Sequence, residues 1–183
     1  KGEGEDIAHG IAGLQVTSFR PSVMFGPDDH FFNRFAGLLR LTLPVLPLAC
    51  PQARFAPVFV GDVAQAMLAA LEDPRTIGQR YDLCGPRSYT LRELVEYTTR
   101  VLGLRRCVVG LGRGPSRLQA ALLGHLPGKA FTYDNFLSLQ VDAVCAGGFP
   151  ALFGITPAAV ETLVPVYLRH RDQRGRLDDY RQR

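Results

Sequence analysis

The side chains best suited to chemistry, cysteine and histidine, are scattered along this 183-residue chain. No Cys-x-x-Cys pair occurs, and no histidine stands at metal-ligand or catalytic-triad spacing from another such residue. Isolated cysteines usually behave as small apolar residues that pack in cores. We therefore expect four separate cysteines, no structural metal and a reducing compartment. The residues concerned are Cys50, Cys84, Cys107, Cys145, His9, His30, His125 and His170.

A glycine-rich segment, residues 110–115, is the one stretch that could be taken for a phosphate-binding loop. It has the sequence Gly-Leu-Gly-Arg-Gly-Pro, so Pro115 stands where the Gly-x-Gly-x-x-Gly register needs its third glycine. We therefore interpret the segment as a flexible joint between two elements.

The formal charge of +4 is concentrated at the C-terminal end, where residues 171–183 are rich in arginine. Such a tail can bind an anionic lipid surface, nucleic acid or an acidic protein. Alternatively it is a solvated terminus, since Asp172, Asp178 and Asp179 interrupt the basic run. We favour the solvated terminus and expect no nucleic-acid partner.

An uncharged stretch, residues 41–53, contains three prolines and is shorter than a membrane span, which needs roughly 20 apolar residues. It remains long enough to press an apolar loop onto a partner or a membrane surface. We expect a cytoplasmic protein without a transmembrane segment. Peripheral contact with the inner membrane, on the matrix side in a eukaryote, stays open.

The spacing of apolar residues predicts an α/β fold. Strands alternate with helices in the first part of the chain, and helices alone follow. Asp62 is expected to cap one helix, and Thr90 with Glu93 to form a capping box at the start of another. The predicted strands are 14–19, 56–60, 80–85 and 106–111, and the predicted helices are 2–12, 31–41, 62–71, 91–102, 116–126, 133–146 and 157–170.

Three segments then follow a recognisable order. Residues 17–27 read Thr-Ser-Phe-Arg-Pro-Ser-Val-Met-Phe-Gly-Pro, residues 54–64 read Arg-Phe-Ala-Pro-Val-Phe-Val-Gly-Asp-Val-Ala, and residues 78–86 read Gly-Gln-Arg-Tyr-Asp-Leu-Cys-Gly-Pro. Together they resemble the second half of the extended short-chain dehydrogenases, which include nucleotide-sugar epimerases and dehydratases. The sequences of these motifs most resemble the atypical branch of the family. That branch includes the nucleotide-binding accessory subunit of respiratory complex I and its bacterial homologues.

The resemblance implies the C-terminal part of a Rossmann-type parallel sheet plus a mostly helical substrate lobe. It also implies NAD or NADP as cofactor. The family's phosphate loop has no counterpart here, so we expect a C-terminal fragment that is inactive alone and exposes apolar strand edges at Val16 and Val58. The implied division is 1–30 and 55–75 for the Rossmann remnant, 31–54 and 76–170 for the substrate lobe, and 171–183 for the basic tail.

The resemblance also implies roles at the cofactor. Pro21, Ser22 and Val23 correspond to residues that line the nicotinamide side, where a proline gives a rigid backbone facing a planar ring. Lys1 matches the lysine of the family's Tyr-x-x-x-Lys pair, which binds the nicotinamide ribose and lowers the pKa of the tyrosine. That tyrosine would precede Lys1 by four positions. Alternatively, Lys1 is an unrelated terminal lysine.

Three further residues are candidates for the substrate side. Arg54 occupies the place where related enzymes hold the substrate diphosphate with the bidentate guanidinium of an arginine. An exposed arginine at a strand edge is the alternative. Phe25 and Asn33 are expected to border the substrate pocket.

Two functions are compatible with this resemblance. In the first, the parent protein moves a hydride between the nicotinamide and a carbon that bears a hydroxyl or keto group. In the second, it is a non-catalytic, cofactor-holding accessory or assembly subunit on respiratory complex I. A free-standing α/β binding module without a cofactor is a weaker third possibility.

Overall fold

A computed structural model describes residues 2–41, 44–112, 114–117, 119 and 133–170. Lys1, most of the predicted helix 116–126 and the basic tail 171–183 lie outside the described residues. The helices are α1 (Gly2–Gly10), α2 (Phe32–Leu41), α3 (Val60–Glu72), α4 (Leu91–Val101), α5 (Tyr133–Ser138) and α6 (Val160–His170). The strands are β1 (Ser18–Pro21), β2 (Met24–Phe25), β3 (Val45–Leu48), β4 (Arg54–Phe55), β5 (Val58–Phe59), β6 (Arg80–Leu83), β7 (Tyr89–Thr90) and β8 (Cys107–Gly110).

Strands distant in sequence pair with one another. Within the described residues β1 pairs with β6, β2 with β5 and β3 with β8, all in parallel, while β4 and β7 are antiparallel. Parallel pairs need crossover connections, and here helices supply part of each crossover. The prediction of an α/β fold with parallel strands is therefore confirmed.

Two prolines lie within strands, at Pro21 in β1 and Pro47 in β3. The N–H of Ser18 donates to the carbonyl of Gln79, just before β6, at 3.0 Å, and the N–H of Ser22 donates to the carbonyl of Leu83 in β6 at 2.9 Å. Strand residues alternate direction, so Pro21 between them faces away from β6 and removes no bond from that ladder. Pro47 is placed in the same way, because bonds from β8 and its flank reach Pro44 and Leu48 on either side of it.

This placement explains two errors in the predicted strands. The strand predicted at 14–19 is β1, shifted to Ser18–Pro21, because we treated Pro21 as a stop. The proline-containing segment 44–51 was expected to be irregular and instead contains β3. In both cases the strand keeps its pairing, since each proline faces an edge with no partner strand among the described residues.

The hydrophobic core lies mainly between helices α2, α4 and α6 and the short strands. Its fully buried members include Phe32, Leu94 and Leu168. A smaller cluster beneath α3 joins Val58, Leu83 and their neighbours. Val58 is 0% exposed and its N–H donates to the carbonyl of Val23 at 3.0 Å, so the expectation of an exposed apolar edge at Val58 is wrong.

The start of α4 follows the prediction. The Thr90 side chain accepts from the Glu93 N–H, and the Glu93 carboxylate accepts from the Thr90 N–H at 2.7 Å, which completes the capping box. This contact lowers the pKa of Glu93, because the backbone and side-chain donors of Thr90 favour the ionised carboxylate. Gly103, with φ +65°, follows the end of the helix.

Asp62 has a different role from the predicted one. Helix α3 begins at Val60, so Asp62 lies in its first turn and does not cap it. Its buried carboxylate instead accepts from the N–H of Ala158 at 2.8 Å, just before α6. The prediction was wrong because Val60, assigned to a strand, already belongs to the helix.

The helix predicted at 133–146 is also wrong beyond Ser138, where α5 ends. Residues 142 and 143 run alongside β4, and Ala143 forms a parallel bridge with Phe55. The Asp142 carboxylate accepts from the Arg54 N–H at 3.0 Å. These contacts with a distant strand replace the helical bonds that the local sequence favoured.

The cysteine prediction needs correction as well. Cys84, at the end of β6, and Cys145 form a disulfide, whereas Cys50 and Cys107 are free. The two bonded residues are 61 positions apart in sequence, so no local spacing pattern indicated the pair. In the chain-entropy description, closing a loop of that length stabilises the fold by about 4 kcal/mol.

None of the helices within the described part of the chain has the length and the apolar character needed to cross a bilayer.

Candidate functional site

A cavity lies where the chain leaves the carboxyl end of β1. From Pro21 the backbone continues through Val23 into β2 and then into the loop 26–31. The cavity has a volume of about 590 Å³ and is lined by residues 23–31 together with Val60. Ligands of open α/β sheets bind beyond the carboxyl ends of the strands, and pockets of roughly 300–1,000 Å³ suit small molecules. Position and volume therefore make this cavity the candidate site.

The apolar floor of the cavity is part of the hydrophobic core. Phe25 is 1% exposed, and its ring lies edge-on to Phe32 with the centroids 6.1 Å apart and beside Phe59 at 5.8 Å. Phe25 thus lines the cavity, as the proposed substrate role requires, but most of its ring packs against protein. Met24 next to it is half exposed and offers the cavity a freely accessible apolar side chain.

Asp29 is the polar centre of the loop that borders the cavity. Its carboxylate accepts from the Tyr167 hydroxyl at 2.6 Å, from the Asn33 N–H at 3.2 Å and from the Gly26 N–H at 3.3 Å. The bond from Tyr167 attaches the loop to α6, across the core. Asp29 therefore uses its carboxylate to fix the conformation of the loop that borders the cavity.

Asn33, expected at the substrate pocket, supports the same loop from the start of α2. Its side-chain amide donates to the carbonyls of Pro27 and Asp29, both at 3.0 Å. It is absent from the residues that line the cavity. Its direct binding to a substrate stays a prediction, and the contacts seen here are those of a loop-positioning residue.

Tyr167 supports a prediction about alkaline pH. Burial and then the hydrogen bond to Asp29 raise the pKa of Tyr167 above the ordinary tyrosine value of about 10. As the pH rises through about 10, the unfolded chain loses this proton while the folded chain keeps it, so stability falls. We expect Tyr167→Phe to cost about 1–3 kcal/mol at neutral pH and to flatten this decline. Urea unfolding at several pH values from about 7 to about 11 measures both effects; a mutant curve parallel to that of the wild type would refute the assignment.

The hydroxyl of Ser22 is engaged within the protein. It donates to the carbonyl of Ala143 at 2.5 Å and accepts from the N–H of Ala56 at 3.3 Å. Pro21 and Val23 on either side of it are half-buried, and Val23 lines the cavity. Of the three residues expected beside the cofactor, Val23 reaches the cavity directly.

Arg54 lies apart from the cavity. It is exposed on β4, opposite Thr90, and its backbone N–H is bound by Asp142. Among the residues that the structure describes, the cavity lining includes no lysine or arginine; its titratable side chains are Asp28, Asp29 and His30. A diphosphate placed here would lie beside the carboxylates of Asp28 and Asp29, which repel it. Lys1, the other proposed cation at the site, lies outside the described residues.

Sequence reasoning missed the contribution of α6 and of the segment around Ala143. Tyr167 follows the apolar spacing of α6 and gave no sign of a polar role, and Asp29 was assigned only to a turn. Ala143 was placed in a helix. Pairing between distant segments produced these contacts, and local pattern does not encode it. Within the described residues, His, Cys, Asp and Glu form no cluster of three that could hold a metal ion.

The chain is similar in fold to solved structures of nucleotide-sugar enzymes. A dTDP-glucose 4,6-dehydratase from Streptomyces venezuelae, solved with NAD bound, has a TM-score of 0.59 and 18% sequence identity over 92% of this chain and 48% of that one. A nucleoside-diphosphate-sugar epimerase from Staphylococcus aureus has a TM-score of 0.58 and 18% identity over 88% and 55%. The chain therefore has the fold of the NAD-dependent epimerases and dehydratases.

In amino-acid sequence, the chain is similar to a subunit of the respiratory NADH dehydrogenase. The rat NADH dehydrogenase [ubiquinone] 1 alpha subcomplex subunit 9, a mitochondrial protein, is 31% identical over 160 residues, which are 85% of this chain and 42% of the rat protein. The Neurospora crassa NADH-ubiquinone oxidoreductase 40 kDa subunit is 32% identical over 106 residues, 58% of this chain and 27% of that protein. The chain is homologous to these subunits and spans less than half their length. No family model matches it.

Proposed function

We propose that the chain is the C-terminal portion of an NAD(P)-binding protein of the epimerase/dehydratase fold, in which it supplies the nicotinamide side of the cofactor site and the adjoining pocket. The observation that carries the proposal is the cavity at the carboxyl end of β1, bordered by Val23. In a doubly wound sheet this is the place where a dinucleotide lies. The boundaries set out above, with the Rossmann remnant at 1–30 and 55–75, remain part of the proposal.

Two features support a larger sheet around this portion. The edge of β1 opposite β6 has no partner strand among the described residues. Helix α3 also exposes an apolar stripe at helical spacing, from Val60 through Met67 and Leu68 to Leu71, which is 85% exposed. An open strand edge and an uncovered apolar helix face are both unfavourable in water, and further strands of the sheet would cover them.

The residues present fit one end of a nicotinamide dinucleotide. Val23, Met24 and residues 25–27 form an apolar wall suited to a planar ring. The cavity lining, as far as the chain is described, includes no glycine-rich loop of the kind that usually binds a pyrophosphate through backbone N–H groups at a helix N-terminus. When bound, the cofactor would supply hydride chemistry, and this chain would orient its ring and exclude water from one face.

Cofactor titration tests the proposal. We expect a longer protein that also contains the coding sequence upstream of Lys1 to bind NADH in the micromolar range. The 183-residue chain should bind it at least about a hundredfold more weakly, because pyrophosphate contacts are missing. NADH fluorescence measures both. In the longer protein, Met24→Trp fills the cavity and should weaken binding at least about tenfold.

The matched control is Leu152→Trp, at a position that is exposed to a similar degree but lies outside the cavity lining. It should leave NADH binding unchanged. If Met24→Trp bound NADH as tightly as the wild type, the cavity would not be the nicotinamide site. Binding of equal strength by the 183-residue chain would argue against the proposed division of the protein.

A second candidate is an accessory subunit that holds the cofactor without turnover on a respiratory NADH dehydrogenase. The names of the homologous subunits favour it. Of the three titratable side chains that line the cavity, Asp29 already binds Tyr167, Asn33 and Gly26, which leaves it poorly placed to transfer a proton to a substrate. The residue four positions before Lys1 separates the candidates: a tyrosine there, with substrate-dependent oxidation of NADH, indicates an enzyme. Tight binding without turnover, together with another residue at that position, indicates the accessory subunit.

A further inference from the structure

The disulfide of Cys84 and Cys145 fastens a short segment beside the candidate site. This segment, residues 142–145, is called the strap below. We propose that Cys84 and Cys145 form a thiol–disulfide exchange site, in which a dithiol reductant releases the strap from β4 and from Ser22. The proposal goes beyond the proposed function and does not depend on a cofactor.

The strap is held at one end by hydrogen bonds to β4 and its flank. The Ala143 N–H donates to the Arg54 carbonyl at 2.9 Å, and the Ala143 carbonyl accepts from the Ala56 N–H at 3.1 Å. The same carbonyl accepts from the Ser22 hydroxyl, and Asp142 accepts from the Arg54 N–H. All of these hydrogen bonds involve residues 142 and 143. The other end of the strap, two residues later, is held by the disulfide.

The two valine side chains in and next to the strap bury little apolar surface. Val141 is 71% exposed and Val144 is 41% exposed, on either side of Ala143. Apart from Ala143, which packs against the main core, the strap is held by a few hydrogen bonds and by one covalent link. Segments with few buried apolar contacts open more readily than core elements. Removal of the link is therefore expected to act on the strap before it acts on the core.

The two sulfur atoms differ in access. Cys84 is 2% exposed at the end of β6, whereas Cys145 is half-buried on the strap. An attacking thiolate needs a path to one of the sulfurs, and the rate of exchange depends on that access. The geometry therefore favours attack at Cys145, with Cys84 as the buried leaving group.

The exchange proceeds in two balanced steps. One thiolate of the dithiol attacks the Cys145 sulfur, the bond between Cys145 and Cys84 breaks, and Cys84 leaves as a thiolate that takes up a proton. The second thiolate of the dithiol then attacks the reductant sulfur bound to Cys145 and frees Cys145 as a thiolate, which is protonated in turn. The protein disulfide gains two electrons and two protons, and the dithiol becomes a disulfide.

Release of the strap removes hydrogen-bond acceptors from two backbone N–H groups and from the hydroxyl of Ser22, which directly precedes the cavity-lining Val23. The Ser22 hydroxyl, now bound to Ala143 and Ala56, would lose its acceptor. The N–H groups of Arg54 and Ala56 would lose strap acceptors as well. The oxidised chain therefore keeps Ser22 turned toward the strap, and the reduced chain frees it.

The experiment uses the full 183-residue chain carrying Cys50→Ser and Cys107→Ser, so that Cys84 and Cys145 are the only thiols. After oxidation with glutathione disulfide, alkylation should label neither cysteine, and after dithiothreitol it should label both. Hydrogen exchange should then be at least about tenfold faster at the amides of Ala56 and Ala143 in the reduced protein. The amides of Thr98 and Thr99, in the buried part of α4, should not change.

The matched variant adds Cys145→Ser to the same background. Its Ala56 and Ala143 amides should exchange at the fast rate with or without dithiothreitol. Alkylation of both cysteines after oxidation would overturn the proposal, because no disulfide would have formed. Equal exchange rates in the oxidised and reduced proteins would overturn it as well, since the strap would then be held without the disulfide.

Discussion

Replacement of Phe25 by alanine is expected to lower the free energy of unfolding by about 3–5 kcal/mol. The ring is 1% exposed and packs against Phe32 and Phe59, so its removal leaves a space that the surrounding side chains fill only in part. Urea unfolding followed by circular dichroism measures the change as a shift of the midpoint. The reason for the large effect is packing, although Phe25 was first singled out as a substrate-binding residue.

Met24→Ala is the matched control. Met24 also lines the cavity and immediately precedes Phe25 in β2, but it is 44% exposed. Its truncation should change stability by less than about 1 kcal/mol, because little buried surface is lost. If the two substitutions had similar effects, the ring of Phe25 would not be the core element that its contacts indicate.

Gly85→Ala is the second substitution expected to be severe, at about 3 kcal/mol or more. A Cβ atom at this position would lie 1.8 Å from the carbonyl oxygen of Pro57 and 2.8 Å from its carbonyl carbon. Both are backbone atoms, so no side-chain rotation relieves the overlap. The Gly85 N–H also donates to the Ala56 carbonyl at 3.0 Å, which holds the two segments at this separation.

Gly37→Ala provides the comparison for Gly85. Gly37 lies within α2, and apart from its chain neighbours and the backbone of its own helix no described atom lies within 4 Å of the position that its Cβ would occupy. Alanine has the higher helix propensity, so this substitution should raise the free energy of unfolding by about 0.5–1 kcal/mol. Thermal and urea unfolding of both variants give the test. A Gly85→Ala protein as stable as the wild type would show that β6 and the segment before β5 can separate.

Local signals in the sequence predicted most of the described helices, although not the start of α3 or the irregular course of residues 139–146. The capping box of Thr90 and Glu93, the apolar spacing of α2 and the glycine after α4 are each determined within a few residues. The resemblance also led to the fold, since its motifs mark strand ends that a sheet of this type needs. These features depend on short-range geometry or on sequence motifs shared with related proteins. The sequence alone was therefore sufficient to predict them.

The missed features depend on pairing between distant segments. Nothing near Pro47 indicates that its ring would face an unpaired edge, and nothing near Cys84 indicates that Cys145 would meet it. Asp62 was assigned to its own helix because that is the local option, whereas its carboxylate binds the N–H of Ala158, 96 positions later. The same holds at the candidate site, where Val23, predicted to lie beside the cofactor, lines the cavity, whereas the contact between Asp29 and Tyr167 was not predicted.

The crossover pairing of the strands has a consequence for how the chain reaches its native state. Ser18 pairs with Arg80 and Val45 with Cys107, so two parallel ladders each close a loop of about 60 residues. The entropy lost in closing such loops precedes the contacts that compensate for it. We therefore expect folding on the millisecond-to-second scale, with the helices forming first and the ladders last. Until the ladders form, the apolar strands remain open to pairing with other chains, so the yield of refolding should fall steeply as protein concentration rises.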